Sequence, residues 1–456
     1  MASTYLTRTP SSSGNRRTFT ISVWFKRTGL DEFNYIFDCD GGNSQSENKL
    51  GFYQDRLSFG VWNNSTSSSA INIETNRQLR DTNAWYHVVC AVDTTQSTAS
   101  DRVKLYVNGE LQTSLNQSTY PSQNYETAIN YVNNPHSIGR WENGSSRYFN
   151  GLISHFHFCD GSAYAPTEFG ETDSTTGEWK IKTSPSVTYG TNGFFILKDG
   201  NSLTDQSGNS NNWTVASGTL TKTEDCPSNV FATLNPLVYH NTSYGLPHYQ
   251  HGNTRLSWQN GESHFMKAWS TLGANKGKYY FECKNYSTTN FSTIGIGDAT
   301  GASSSNGYIG QGSDGAYTYG YYSDNGNYFN NGSSTAYGNA WDSSGAVAGC
   351  AVDLDNNKLY FSVNGVWQNS GDPTSGSTGT GAISIADPST VNGGFYMFGV
   401  SRPNVGSNGY IDVNFGNGYW GSTQISSAGT NASGIGIFEY DVPTGYTALS
   451  TKGLNL

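Results

Sequence analysis

Residues 18–27 read Thr-Phe-Thr-Ile-Ser-Val-Trp-Phe-Lys-Arg, with Phe19, Ile21, Val23 and Phe25 at every second position. Side chains alternate across a strand, so this spacing predicts a β-strand with one apolar face. The same texture recurs on either side. Arg102 to Gly109 alternates Val103, Leu105 and Val107 and ends on Asn108-Gly109. That dipeptide suits a type I′ hairpin turn, whose two central residues need positive φ. Trp85 to Asp93 is almost continuously apolar, as expected of a strand covered on both faces. Lys49 to Trp62 predicts a hairpin, and Ser137 to Arg140 and Phe149 to Phe158 supply the last strands of a first module over 1–165.

Residues 166–240 are dense in Thr, Ser, Gly and Asn, with Pro166, Pro185 and Pro227 as punctuation. Gly193 to Leu197 is a clear strand there and Trp213 to Val215 a second candidate, so an ordered connector that adds strands to a sheet is expected. Lys278 to Cys283, Thr293 to Gly297, Ala316 to Tyr322, Ala346 to Leu354, Lys358 to Val363 and Phe395 to Val400 then predict a second module over 241–420. Asn356-Asn357 and Asn364-Gly365 mark its tight turns. A Ser/Gly-rich C-terminal extension over 421–456 follows. The fold class expected is all-β, with two antiparallel sandwiches of jelly-roll type.

Composition agrees. The 456 residues include 54 Gly, 30 Tyr, 22 Phe and 11 Trp, and only 13% are charged. Aromatic and turn residues at this density favour short strands and tight turns. The formal net charge is −10 and Lys and Arg are scattered, so neither nucleic acid nor an anionic membrane surface is an expected partner. No apolar run approaches the roughly 18–20 residues that span a bilayer, so no membrane insertion is expected. The N-terminus lacks a charged region followed by an apolar stretch, so the reading expects no signal peptide and synthesis in a cytoplasm. The six cysteines are spread singly, which fits buried thiols better than a zinc site.

Several blocks carry a family resemblance. Residues 18–27, Trp85-Tyr86-His87-Val88-Val89, Val103 to Glu110, Ile138-Gly139 and Phe149 to Ser154 resemble, in order and spacing, the laminin-G-like, concanavalin A-like lectin/glucanase superfamily. Lys276 to Glu282, Thr293 to Asp298, Ala346 to Asp355, Lys358 to Gly365 and Val413 to Gly416 resemble a SPRY domain. The two modules in one chain, with Leu203 to Trp213, Phe231 to Pro236 and Tyr440 to Leu449, look like virion proteins of bacteriophages from aquatic settings. That resemblance implies a virion surface protein, as a fibre or receptor-binding adhesin or a capsid decoration. Its implied partners are other virion proteins, further copies of itself and a host-surface glycan. The chain begins almost at its first strand, so no N-terminal tail-anchoring domain is expected.

Glycan-cleaving enzymes of this fold need two carboxylates roughly 5–9.5 Å apart. No Glu-x-Asp-x-x-Glu pattern occurs; Asp31-Glu32, Asp38 with Asp40, and Asp353 with Asp355 are the nearest clusters. There is no nucleophile elbow, phosphate-binding loop or zinc-protease motif either. The expectation is therefore a protein that binds without catalysis. A glycan-cleaving enzyme and a purely architectural virion protein are the alternatives. His155 and His157, two apart, could share a strand face and reach a metal, although a half-exposed strand explains them as well. No cofactor is expected beyond the Ca²⁺ that the resemblance implies on a rim, with Asp38, Asp40 or Asn43 as oxygen donors.

Aromatic residues offer the binding candidates. Tyr317, Tyr319, Tyr321, Tyr322, Tyr328 and Phe329 crowd into thirteen residues. Tyr317, Tyr319 and Tyr321 share one strand face and Tyr322 takes the other. Exposed rings make low-entropy contact surface, whereas the same alternation would also build a core. Tyr328 and Trp341 lie in Asn/Gly/Ser-rich segments, and Trp141 sits beside Glu142-Asn143-Gly144. Trp141, Tyr317, Tyr319, Tyr321, Tyr328 and Trp341 are thus the ligand-binding candidates, with no catalytic and no metal-binding residue expected.

Overall fold

A computed structural model describes residues 4–30, 33–42, 45, 47–144, 146–182, 184–198, 200–238, 248–258, 266–286, 292–303, 307–402 and 409–455. It divides into two compact units, Met1–Lys222 and Thr223–Leu456. Both are nearly all-β and built from antiparallel sheets.

In the first unit an eight-stranded sheet runs Leu115–Thr119, Ser68–Gln78, Arg56–Asn63, Glu47–Tyr53, Phe33–Cys39, His136–Ile138, Tyr5–Arg8, Thr214–Ser217. It faces a six-stranded sheet in the order Phe194–Ile196, Gly151–Asp160, Thr18–Arg27, Trp85–Asp93, Val103–Val107, Glu110–Leu111. Phe19, Ile21, Val23 and Phe25 all lie in the core between them, packed with Phe37, Leu50, Phe59 and Val88. Trp85–Asp93 is apolar on both sides because both are covered. Val88, Cys90 and Val92 face the core, while Val89 packs outward against Cys159 and Phe169. Segment 164–189 supplies that outer cover, including the hairpin Gly170–Thr172 with Trp179–Ile181. At the Asn108-Gly109 turn φ is 49° and 83°. A Cβ on Gly109 would also lie 2.6 Å from the Trp179 ring, so glycine serves both the turn and the close approach.

In the second unit the sandwich pairs a sheet centred on Lys278–Asn285 and Val347–Asp353 with a six-stranded sheet centred on Tyr396–Arg402 and Thr293–Gly297. Phe281, Cys283, Ile294, Ile296, Phe361 and Phe398 are among its buried core. The opposite face of the first of these sheets is covered as well. Tyr280, Ala351 and Tyr360 point outward under Phe438, Val442, Tyr446 and Ala448. Residues 421–456 are thus a third layer rather than an appendage, and Thr447–Ala448 even pairs in parallel with Tyr279–Tyr280.

The 166–240 segment is divided between the units. Phe194–Ile196 and Thr214–Ser217 each extend a sheet of the first, and Ala232 and Leu234 enter the core of the second. All six cysteines are free, five of them buried. No helix among the described residues is long and apolar enough to cross a membrane.

Candidate functional site

Three of the six aromatic candidates are core residues. Tyr319 and Tyr321, in strand Tyr319–Tyr322, are 7% and 0% exposed, and Trp341 is 1% exposed. The alternation that places Tyr319 and Tyr321 on one face points that face inward. The Tyr321 ring stacks on Phe361 at 5.0 Å and on Trp341 at 6.3 Å. Trp341 plugs the sandwich, with its backbone amide donating to Ser323 O at 2.8 Å. None of the three offers a ring face to a ligand, because each face is in van der Waals contact with the core. Tyr317 and Tyr328 are partly buried against the same core. The rings that turn the other way are Tyr322, Phe329 and Tyr308, packed edge to face or tilted at 4.8–5.4 Å.

Trp141 is half-buried, like Tyr317 and Tyr328, and it belongs to a larger arrangement on the first unit. Strand Phe33–Cys39 carries a β-bulge between Tyr35 and Phe37. Phe37 stays in the core while Tyr35 is directed to the outer face of the eight-stranded sheet. Gly51 lies opposite Tyr35, and a Cβ there would come within 2.8 Å of Tyr35 Cα. Glu47 and Lys49, two apart, share the same outer face. Lys49 crosses over Gly60, and Trp62 lies directly opposite Glu47 on the next strand, 39% exposed.

Loop 140–150 closes the other side. Tyr35 N donates to Arg147 O at 3.0 Å, pinning the loop to the sheet edge. Arg147 has φ of 58°, unusual for a non-glycine residue. Its guanidinium lies over Trp141 at 4.4 Å, Phe33 at 5.2 Å and Tyr35 at 5.3 Å. Arg147 Nη1 donates to both Tyr35 Oη and Glu47 Oε1 at 2.6 Å. Lys49 Nζ donates to Tyr35 Oη at 3.0 Å, and the phenol donates to Glu47 Oε2 at 3.2 Å. Burial, and then the charge on Glu47, push the Tyr35 phenol far above its ordinary range, so it acts as a neutral hydroxyl. Gly144 gives Trp141 its room, since a Cβ there would stand 2.8 Å from the ring.

Asp38 lies beneath the loop, fully buried, and accepts from Glu142 N at 2.9 Å and Asn48 N at 3.1 Å. Burial pushes its carboxyl well above the usual range, against the pull of those amides. Asp40 accepts from Gly42 N at 2.8 Å. Asn43, the third calcium candidate, lies outside the described residues, as does the Asp31-Glu32 pair. Among the described residues no group of three His, Cys, Asp or Glu is arranged to hold a metal. The His157 ring stacks on Phe195 at 3.9 Å and pairs with Tyr189 Oη at 2.8 Å, which accounts for it without one.

The arrangement is therefore an accessible tryptophan, a carboxylate shared by two cations and a second tryptophan under a guanidinium, all on one sheet face. Such a surface can stack against the apolar face of a ring and hydrogen-bond its substituents. Residues 2–168 match the model of the concanavalin A-like lectin/glucanases superfamily. Residues 278–381 match the SPRY domain.

The chain carries a concanavalin A-like domain and a SPRY domain.

Both classes of domain are built as carbohydrate- or protein-binding β-sandwiches. Comparison with curated proteins found no match. Similar solved structures include a heptameric SAP-like pentraxin from Limulus polyphemus (17% identity over 36% of this chain and 71% of that one, TM-score 0.28). A human SPRY domain is similar at 14% identity over 35% of this chain and 90% of that one (TM-score 0.25). Domain 4 of an extracellular arabinanase from Geobacillus stearothermophilus, in complex with arabinotriose, is similar at 19% identity over 34% and 65% (TM-score 0.25).

Sequence reasoning singled out Trp141 but missed Tyr35, Glu47, Lys49, Trp62 and Arg147. The i,i+2 pair Glu47 and Lys49 opposite a tryptophan in a hairpin was the available signal. Arg147 had none, being distant in sequence from the residues it binds.

Proposed function

We propose that the protein binds saccharides without cleaving them, through the outer sheet face of its concanavalin A-like domain. The observation that carries this reading is the line Trp62, Glu47, Arg147, Trp141, in which two tryptophans flank a hydrogen-bonding charged centre. Trp62 offers a ring face at 39% exposure. Tryptophan and arginine are the side chains that most often dominate recognition energy. The absence of catalysis is supported by the carboxylates near the face: Glu47 is shared between Arg147 and Lys49, and Asp38 is buried under backbone amides.

The location proposed is a virion surface, with other virion proteins and further copies of the chain as partners and a host-surface glycan as ligand. The resemblance of the two-module arrangement to phage virion proteins is what supports it. Binding of the full chain to a glycan array and to candidate host cells, with and without calcium, tests the reading. Saturable binding that falls at least tenfold in Trp62→Ala, the loss of about 1.4 kcal/mol, is the expected result. Release of reducing sugar from a bound glycan would overturn the non-catalytic part.

A further inference from the structure

We infer that the sheet-face site takes a saccharide bearing an anionic group, a carboxylate or a sulfate ester, received by Arg147. This rests on the saccharide-binding reading above and names its ligand class.

The first support is the unused half of the guanidinium. Arg147 Nη1 alone makes both hydrogen bonds, to Tyr35 and Glu47. Among the described residues Nε and Nη2 make none, and neither is sealed from solvent. The side chain is 29% exposed. The plane of the guanidinium is held by Trp141, Phe33 and Tyr35, so the free edge is fixed in place. An arginine edge with two parallel N–H groups matches a carboxylate or sulfate in a way an ammonium does not.

The second support is charge. Arg147 and Lys49 share one carboxylate, Glu47, at 2.6 and 3.4 Å. Arg140 beside them is matched by Glu142 at 3.6 Å. Asp38 faces the loop from below, with its oxygens taken by the amides of Asn48 and Glu142. Among the described residues Arg147, Lys49 and Arg140 are thus set against Glu47, Glu142 and Asp38, and no described carboxylate bonds the free edge of Arg147. An anion brought to that edge meets a guanidinium fork held in place, while acidic charges elsewhere in the chain are screened beyond about 10 Å at 0.1 M salt.

The test is calorimetric binding of the full chain to three oligosaccharides of equal length: a polyuronate, a sulfated galactan and a neutral galactan. The expected result is at least one anionic probe binding about ten- to a hundredfold tighter than the neutral one, the range of a charge-assisted hydrogen-bond pair. The order of the two anionic probes identifies the group. Arg147→Gln should bring that probe to the neutral level, and Arg147→Lys, which keeps the charge without the fork, should fall between. Equal binding of neutral and anionic probes, or anionic binding unchanged in Arg147→Gln, overturns the inference while leaving saccharide binding standing. Binding of neither class, or binding indifferent to Trp62→Ala, overturns the saccharide reading and this inference with it. Unaltered thermal melting of Arg147→Lys separates loss of the ligand contact from loss of the fold.

Discussion

Trp179 Nε1 donates to His87 Nδ1 at 3.0 Å, which leaves the ring proton on Nε2 to donate to Ser22 Oγ at 2.9 Å. The indole N–H can only donate, so this geometry requires a neutral imidazole. His87 is further stacked on Trp24 at 4.8 Å. The hairpin that carries Trp179 is thereby tied to the six-stranded sheet through a histidine that must not be charged.

Stability of the first unit should fall with acid. Burial holds His87 at about 3 and His136 at about 4, against an ordinary 6.5, and holds His157 well below it. His136 Nε2 accepts from Asn130 N at 3.0 Å, which protonation would break. The unfolded chain takes up these protons first. The stabilisation is therefore whole above pH 6.5 and is lost as pH drops toward the folded-state values, by about 1.4 kcal/mol per pH unit for each histidine. Thermal melting of the full chain as a function of pH checks this. His87→Phe keeps the stack, cannot titrate, and should flatten part of the slope; a slope unchanged in that variant counts against the role given to His87.

Glu282 should hold the C-terminal layer. Its carboxylate accepts from Glu439 N and Tyr440 N, both at 2.9 Å, and from Tyr280 Oη and Asn414 Nδ2 at 3.1 and 3.2 Å. Removing it orphans buried donors, at about 1–3 kcal/mol each. Glu282→Ala is expected to make residues 421–456 the first site of proteolytic cutting, with Glu282→Gln closer to the parent. Burial pushes Glu282 up to about 7 from 4.5, although its four donors pull the other way. The linkage follows from that direction: its contribution is whole below pH 4.5 and shrinks as pH rises through 7. Glu282→Gln should abolish that part of the pH dependence.

Trp341→Ala should behave as a core lesion. The side chain is 1% exposed and packs against Tyr321, and large-to-small changes of this kind cost about 3–5 kcal/mol. The measurement is urea unfolding of the full chain beside glycan binding at a temperature where the variant is folded. A stable Trp341→Ala that has lost ligand would restore Trp341 to the binding surface.

Gly144→Ala should weaken the sheet-face site at little expense in stability. Its Cβ would meet the Trp141 ring at 2.8 and 2.9 Å. The ring must shift, and Arg147 loses a surface that a cation–π contact makes worth about 0.5–1 kcal/mol at an exposed position. Saccharide affinity is expected to fall a few-fold while the melting temperature moves by only a few degrees. Unchanged affinity would mean that Trp141 plays no part in presenting Arg147.

The two-sandwich architecture was readable because strand periodicity is local. Phe19 to Phe25 and Val103 to Val107 declare a strand and its two faces within a few residues, and Asn108-Gly109 declares its turn. The five described blocks of the first resemblance all fall in strands or their turns. The C-terminal layer was less visible. Phe438, Val442 and Tyr446 stand four apart, a helical spacing that Pro443 and Gly445 interrupt, and they become a layer only because Tyr280, Ala351 and Tyr360 present an apolar outer face.

Alternation by itself determined that Tyr319 and Tyr321 share a face; it did not determine that the face turns inward. That was decided by the opposing sheet, which places Phe361 5.0 Å from Tyr321. The same division holds at the candidate site. The local pattern supplied Trp141, in a loop rich in turn residues. Only the closed sandwich sets Arg147 beside Tyr35 and Glu47, 112 and 100 positions away. Residue spacing encodes a strand and its two faces, whereas the partner of each face depends on contacts made across the whole chain.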